Sequence, residues 1–230
     1  MNRQDLNKYM LRYHDWHIHT FYTDGKNSVS EIVKEAKLKS LHSIAITEHV
    51  RKELTYDFNL LMNQIKLSEE KYNIRVFVGC EAKVIDNSGN LDVSQETLQK
   101  CDLVLGAFHQ FPNNKIKYFN AILAMLGNPI VNIWAHPLRF AHLNNIIFSD
   151  SELLCIFKAV KENNVIYEIN SVFPPTDRQV RLINSYKIGY CFGSDSHDKT
   201  NLLSPDFYQI WTKKLWNKKF QTNCLPSDSF

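Results

Sequence analysis

Two short motifs, one near each end of the chain, place pairs of potential metal ligands one residue apart. His17 and His19 form H-x-H, and Asp195 and His197 form D-x-H. Alternate residues of a β-strand share a face, so each pair presents two ligand groups in one direction if it ends a strand. Imidazole and carboxylate groups together suit zinc, manganese or iron(II) better than magnesium or calcium. The two motifs therefore predict a transition-metal site.

Further ligand-type residues lie at or just after short apolar runs between these motifs. They are Asp24, His49, Glu81, His109 and His136. A single buried histidine is more often a packed core residue than a ligand, and H-x-H alone arises by chance in many proteins. Nine ligand-type residues at six predicted strand ends outweigh that alternative. We therefore expect the nine side chains to share one site.

Short apolar runs alternate with amphipathic stretches, and no linker rich in proline or glycine divides the chain. The predicted strands cover residues 16–20, 42–47, 76–84, 103–108, 130–135, 165–169 and 188–193. The predicted helices cover residues 30–40, 58–71, 94–100, 116–126, 151–162 and 177–185. Apolar strands that alternate with helices indicate an α/β fold with a parallel sheet covered on both faces. Seven such strands favour closure into a barrel, whose active site lies at the carboxyl ends of the strands.

Composition excludes several classes of protein. The chain has 230 residues, of which 44% are hydrophobic, and its formal net charge is +3. This size suits one domain, and this charge argues against a dedicated nucleic-acid coat. No apolar run reaches the ~18 residues of a membrane span, and the polar first residues lack a signal-peptide core. With five scattered cysteines, these features predict a cytoplasmic protein whose thiols are mostly reduced.

Seven motifs occur in the order expected for one known family. They are DWHIHTFYTDG, ITEH, VGCEAKVI, LGAFH, WAHP, YEINS and GSDSH. Over residues 13–198 the chain resembles the PHP (polymerase and histidinol phosphatase) domains. It is most similar to the small stand-alone PHP phosphatases and to the PHP domain of bacterial family X polymerases. The resemblance implies a distorted, TIM-like (β/α)7 barrel. We expect a single PHP domain over residues 1–230, with a C-terminal helix at about 205–221.

The resemblance also implies three divalent metal ions and assigns their ligands. One metal would be held by His17, His19, Glu81 and Asp195. Glu81 would bridge to a second metal, which also takes His109 and His136. The third would be held by Asp24, His49 and His197. The chain departs from the family at Glu48, where aspartate is usual. By strand alternation Glu48 should point away from His49 and support the site from behind.

The charge of such a site favours phosphate esters. Three carboxylates against three divalent ions leave a charge of about +3, which attracts an anionic substrate. A water bridging the metals at Glu81 would be ionised near neutral pH and positioned to attack phosphorus in line. The candidate catalytic residues are therefore Glu81, Asp195 and His197, acting through the metals that they hold. Zinc, manganese and iron all stay open.

Phosphate recognition needs groups that are not metal ligands. Arg178 follows the sixth predicted strand and is the best candidate for a bidentate contact. Arg139 follows the A-H-P turn at a similar level, and Asn170 is predicted to face the pocket. The alternatives are a surface charge for each arginine and a packed core amide for Asn170.

The leading functional hypothesis is a phosphomonoesterase that acts on a small metabolite, such as histidinol phosphate. The main alternative is a phosphodiesterase or exonuclease that acts on nucleotides or single-stranded nucleic acid. A metal-dependent amidohydrolase and a non-enzymatic PHP module fit less well, because Glu81 and all nine ligand types are present. Aromatic and lysine residues near 211–220 predict a helix docked on the barrel or, less simply, a nucleic-acid patch. The oligomeric state stays open.

Overall fold

The computed structural model describes residues 13–216, which alternate between strands and helices. Its strands are β1 (His14–Ile18), β2 (Ser43–Val50), β3 (Arg75–Lys83), β4 (Leu103–Ala107), β5 (Ile133–Trp134), β6 (Ile166–Asn170) and β7 (Tyr190–Gly193). Its helices are α1 (Val29–Leu38), α2 (Phe58–Tyr72), α3 (Gln95–Lys100), α4 (Lys115–Gly127), α5 (Arg139–Leu143), α6 (Asp150–Glu162), α7 (Asp177–Ser185) and α8 (Pro205–Trp216). A 3-10 turn at Lys199–Asn201 precedes α8.

The strands form one parallel sheet whose spatial order is the chain order, β1 to β7. The first and last strands then approach each other. Ile18 and Ser196 form a parallel bridge, and the His19 N–H donates to the Ser196 carbonyl at 2.9 Å. The predicted α/β barrel of seven strands is therefore confirmed, with a nearly closed sheet.

Side chains complete the junction between β1 and β7. The Phe192 N–H donates to His14 Nε2 at 2.9 Å, and the Ser194 N–H donates to Asp15 Oδ1 at 2.8 Å. The Leu203 N–H donates to the other oxygen of Asp15 at 3.1 Å. Burial raises the pKa of Asp15 to about 6, although these hydrogen bonds act to lower it. Asp15 thus links β1, β7 and the segment before α8.

Removing the Asp15 carboxylate should destabilise the fold. Asp15→Ala would leave two buried backbone N–H groups without acceptors, and each such loss costs about 1–3 kcal/mol. We expect the free energy of unfolding, measured in urea, to fall by about 2–5 kcal/mol. Asp206→Ala, at an exposed position in α8, should change it by less than about 1 kcal/mol. Equal stability of the two variants would contradict the role of Asp15.

The inward-facing side chains of the strands change from apolar to polar toward the carboxyl ends of the strands. An apolar cluster fills one part of the barrel interior: Trp16, Ala45, Phe77, Leu103, Leu105, Ala107, Ile133, Ala135, Ile166 and Cys191. On β2 and β3, His49 and Glu81 are in phase with Ala45 and Phe77 but nearer the carboxyl end. The larger apolar core lies between the sheet and the helices. The alternation therefore gives the barrel an apolar interior and a polar mouth.

One predicted strand is shorter in the structure, and one helix was not predicted. The strand predicted at 130–135 is only Ile133–Trp134, because the chain turns just before it, with the Val131 N–H donating to the Asn128 carbonyl. The short helix α5 was not predicted, and it begins one residue after Leu138, which has a left-handed φ of 64°. Apolar runs alone do not reveal such turns.

Helix α8 lies at the predicted position and packs on the barrel. Tyr208, Trp211 and Leu215 are buried, and Lys214 pairs with Asp177 at 2.7 Å. Trp216, at the end of the described helix, is 72% exposed, and its indole N–H donates to the Tyr190 hydroxyl at 3.4 Å. The remainder of the predicted helix, residues 217–221, lies outside the described residues. No helix within residues 13–216 combines the length and the apolar character needed to cross a membrane.

Candidate metal centre

All nine predicted ligand residues meet at the carboxyl ends of the strands. His17, His19, Glu81 and His136 are buried at the base of the cluster. Asp24 and His197 lie at its outer side, where their side chains are 53% and 38% exposed. The site therefore has a buried floor and an opening to solvent.

The buried floor has the dimensions of a tetrahedral metal site. His17 Nε2 lies 3.1 Å from His19 Nε2, and each lies 3.5–3.6 Å from Asp195 Oδ1. Oxygens of Glu81 lie 3.5 and 3.6 Å from the same two nitrogens. In a tetrahedral site with bonds of about 2.0–2.1 Å, ligand atoms are roughly 3.3 Å apart. His17, His19 and Asp195 thus have spacing suited to one metal, whereas Glu81, implied as the fourth ligand, lies near both rings but outside this group of three.

Glu81 also contacts the residues expected at the second metal. Its Oε1 lies 3.0 Å from His109 Nε2 and 2.9 Å from His136 Nε2. Its Oε2 lies 2.9 Å from His49 Nδ1. This carboxylate is therefore in the middle of the cluster, between ligand groups from β1, β2 and the segments after β4 and β5.

The third group lies around Asp24. Its two oxygens are 3.4 Å from His49 Nε2 and 3.2 Å from His197 Nε2. His19 belongs to this group as well as to the first, since one of its ring nitrogens lies within 4.8 Å of the other three ligand atoms. The sequence assigned His19 to the first metal alone. In the folded barrel, the ring of His19 stacks on the ring of His197, with centroids 4.5 Å apart. This proximity joins the two groups.

One buried atom of the cluster lacks a partner and fits a bound cation. His19 Nδ1 has no hydrogen-bond partner among the described residues, whereas His49 Nδ1 and Glu81 Oε2 pair with each other at 2.9 Å. Buried polar atoms without partners are costly, and clusters of imidazole and carboxylate groups commonly satisfy this requirement by binding a transition metal. The donor set is therefore suited to zinc, manganese or iron(II).

The electrostatics of the cluster point the same way. Burial raises the pKa of Glu81, but His17 and other histidines outweigh it and hold that pKa well below its usual range. Burial lowers the pKa of His17, but Glu168 and two ligand carboxylates raise it more, to well above its usual range. The pKa of His19 falls to about 4, mainly because of burial. The pocket therefore keeps Glu81 ionised and favours positive charge at His17, whereas it keeps His19 neutral.

Glu48 supports the site from behind, as predicted. Its carboxylate accepts hydrogen bonds from the backbone N–H and hydroxyl of Thr20 and from the hydroxyl of Thr23. These bonds tie the strand β2 to the loop that carries Asp24. The longer glutamate is therefore accommodated by contacts with this loop, not with the ligand cluster.

The predicted phosphate-binding residues have other contacts. Arg178 forms an ion pair with Asp150 at the start of α6. Arg139 begins α5, three residues after His136, and its backbone N–H donates to the His136 carbonyl. Asn170 is buried: its oxygen accepts from two N–H groups of the following loop and its nitrogen donates to Glu168. For Asn170 and the two arginines, substrate binding stays a prediction.

Sequence reasoning missed the part played by Glu168. This buried residue lies on β6, and its Oε1 is 2.7 Å from His17 Nδ1. The available signal was its alternation with Ile166, which predicts that it points into the barrel. The contact with β1 could not be read from that pattern.

Known proteins resemble this chain in sequence and in fold. The sequence model of the PHP domain family matches residues 15–172 of this chain. A "Probable phosphatase" of Caldicellulosiruptor saccharolyticus is 29% identical over 83% of this chain and 82% of its own length. A "Probable phosphatase" of Acetivibrio thermocellus is 32% identical over 68% of this chain and 64% of its own length.

Among solved structures, the histidinol phosphate phosphatase of Lactococcus lactis, complexed with zinc, L-histidinol and phosphate, has the same fold. Its TM-score is 0.68 at 18% identity, over 91% of this chain and 94% of the other. The family match covers more than half of the chain and includes the H-x-H motif, Glu81, His109 and His136. The chain therefore belongs to the PHP domain family.

Proposed function

We propose that this protein hydrolyses the phosphomonoester of a small metabolite at a centre of three transition-metal ions. The observation that carries the proposal is the convergence of nine ligand-type side chains in one cluster, in which five histidines surround Glu81. The coarser conclusion, a metal-dependent phosphoesterase, agrees with the PHP family and with the names of the curated relatives. The structural neighbour solved with L-histidinol and phosphate supports a small substrate of the histidinol phosphate type.

The residues of the site have separable tasks. Bound metal ions would supply an ionised water as nucleophile and would polarise the phosphoryl oxygens. Glu81 contributes negative charge at the centre, where it contacts His49, His109 and His136. Asp24 and His197 lie at the exposed side, so the phosphate group enters from there. No separate protein nucleophile is required for this chemistry.

Metal analysis tests the centre itself. Protein purified without chelator should contain between two and three transition-metal ions per chain, because the ligand atoms form three overlapping groups. Inductively coupled plasma mass spectrometry of the folded protein would give the number and the element. One ion or none per chain would contradict a centre of three metals.

A substrate comparison tests the reaction. Histidinol phosphate and other small phosphomonoesters should be hydrolysed in the presence of manganese or zinc. A cyclic nucleotide and a labelled single-stranded oligonucleotide should react far more slowly. Glu81→Gln, purified in the same way, controls for contaminating phosphatases. Faster cleavage of the oligonucleotide would instead support an exonuclease, for which the exposed side of the site leaves room.

The predicted phosphate clamp can be tested at Arg178. If Arg178 leaves Asp150 to contact substrate, Arg178→Ala should reduce kcat/KM about ten- to a hundredfold without changing metal content. Arg178→Lys should restore part of the loss, because an ammonium group lacks the planar fork. Arg75→Ala is a matched control, since Arg75 pairs with Glu69 at the opposite end of the barrel. A loss with Arg139→Ala and none with Arg178→Ala would move the clamp to α5.

A further inference from the structure

A buried carboxylate outside the ligand groups contacts two candidate ligands on different parts of the barrel. Glu168 Oε1 lies 2.7 Å from His17 Nδ1. Its Oε2 accepts the backbone N–H of His136 and a hydrogen bond from Asn170 Nδ2 at 3.2 Å. His17 belongs to the first predicted metal and His136 to the second. One side chain on β6 thus contacts ligands of two sites.

The contact with His17 determines which nitrogen of the ring is available to a metal. A carboxylate accepts this hydrogen bond, so Nδ1 of His17 carries a proton that faces Glu168. In the neutral ring that would bind a metal, the lone pair is then on Nε2, which lies 3.1 Å from His19 Nε2 and 3.5 Å from Asp195 Oδ1. Glu168 therefore sets both the tautomer and the rotation of this ring.

The contact with His136 acts on the backbone. His136 has φ of 30°, a conformation that a residue with a side chain rarely adopts and that requires support from its surroundings. Its N–H donates to Glu168, while its Nε2 lies 2.9 Å from Glu81 Oε1. The hydrogen bond holds the unusual backbone conformation in which the ring reaches Glu81.

A glycine on β7 makes room for this carboxylate. A Cβ added at Gly193 would overlap Glu168 Oε1 and would lie 2.8 Å from the Cβ of His17. Gly189, just before the same strand, has nothing within 4 Å of such a Cβ. Space, not backbone freedom, is what Gly193 provides. The pair of glycines therefore offers a matched test of the position of Glu168.

We propose that Glu168 is a positioning residue that orients ligands of two metal sites together, His17 through its ring and His136 through its backbone. The inference rests on the metal centre of the proposed function. Carboxylates that orient ligating histidines typically affect metal affinity by ten- to a hundredfold. Because Glu168 serves two sites, its loss should weaken two metals rather than one.

The test measures metal binding directly. Dissociation constants for Zn²⁺ and Mn²⁺ are obtained by competition with a chelator for the wild type, Glu168→Gln and Glu168→Asp. Melting temperatures of the metal-free forms are measured alongside. Glu168→Gln removes the charge and leaves one acceptor oxygen, so His17 Nδ1–H and the His136 N–H can no longer each have their own acceptor. Glu168→Asp keeps the charge but shortens its reach. We expect both to bind two of the ions at least tenfold more weakly than the wild type.

The glycine variants separate position from charge. Gly193→Ala keeps the Glu168 carboxylate but displaces it and also crowds the Cβ of His17, so we expect metal affinity to fall at least as far as in Glu168→Gln. Gly189→Ala should bind metal as the wild type does. If Glu168→Gln does not fold, Glu168→Asp decides the question, because it leaves the space around His17 unchanged.

Two results would overturn the inference. The first is metal affinity within threefold of the wild type in folded Glu168→Gln or Gly193→Ala. The second is a lower melting temperature of the metal-free variants with unchanged metal affinity, which would mean that Glu168 only stabilises the barrel. A wild-type protein that binds neither Zn²⁺ nor Mn²⁺ would refute the proposed metal centre itself. The wild-type measurement alone separates this outcome from the two results above.

Discussion

Glu81→Gln should reduce kcat for phosphomonoester hydrolysis at least about 1,000-fold, equivalent to about 4 kcal/mol of transition-state stabilisation. Glu81 is the carboxylate at the centre of the cluster, with one oxygen beside His109 and His136 and the other beside His49. Glutamine has nearly the same shape but no charge, and only one of its two terminal atoms is a ligand. The expected loss therefore reflects chemistry rather than packing. Steady-state kinetics at saturating metal would measure it.

A folded variant is essential to that interpretation. Glu81→Gln should retain the far-ultraviolet circular dichroism of the wild type, because the substitution preserves volume in a packed interior. Glu96→Gln is a suitable control, since Glu96 is exposed on α3 and pairs only with Lys100 at 2.7 Å among the described residues. It should keep wild-type activity. More than about a tenth of the wild-type rate in Glu81→Gln would show that the carboxylate does not have the central role.

Removal of metal should abolish activity and lower the melting temperature by about 10 °C or more. Without metal, the buried His19 Nδ1 has no hydrogen-bond partner in the part of the chain that is described, and His49 Nδ1 and Glu81 Oε2 have each other. Metal at about 1,000 times its Kd stabilises the folded state by about 4 kcal/mol per site. At this chain length, 1 kcal/mol shifts Tm by about 2–4 °C. Scanning calorimetry with and without a strong chelator would measure the shift.

Reloading distinguishes metal loss from damage by the chelator. Addition of Zn²⁺ or Mn²⁺ in excess over the chelator should restore both Tm and activity in the wild type. Glu81→Gln should show a smaller shift of Tm on reloading, because its central ligand is impaired. A wild-type Tm that does not respond to chelator would mean that the cluster is held by its internal ion pairs and does not need metal.

Most of the metal centre could be predicted from the sequence because it depends on local rules. His17 lies in β1 and His19 directly follows that strand, with ring centroids 5.1 Å apart. Alternation along β3 puts Glu81 in phase with the apolar interior residue Phe77. The parallel sheet then brings all strand ends to one mouth of the barrel. The residue types, the two-residue alternation of the strands and the common edge at which parallel strands end are sufficient to predict that these side chains come together.

The grouping of ligands depends on distances across the barrel, which no local pattern contains. His19 was predicted to serve one metal, but its position beside His49 and His197 places it in two groups. Asn170 was predicted to point inward, and the structure adds that its amide is bonded to Glu168 and to the following loop. Strand alternation indicates that a side chain points inward. The neighbouring strands determine which groups it contacts there.

The sequence by itself determined the fold class, the family and the nine ligand types, because each follows from residue identity and spacing within short segments. Only the tertiary structure decided how those ligands are oriented. Glu168 lies 151 residues from His17 along the chain, and it reaches that ring only because Gly193 has no side chain. Asp15 likewise accepts hydrogen bonds from residues 179 and 188 positions away. Such contacts arise from closure of the barrel, which brings the first strand beside the last.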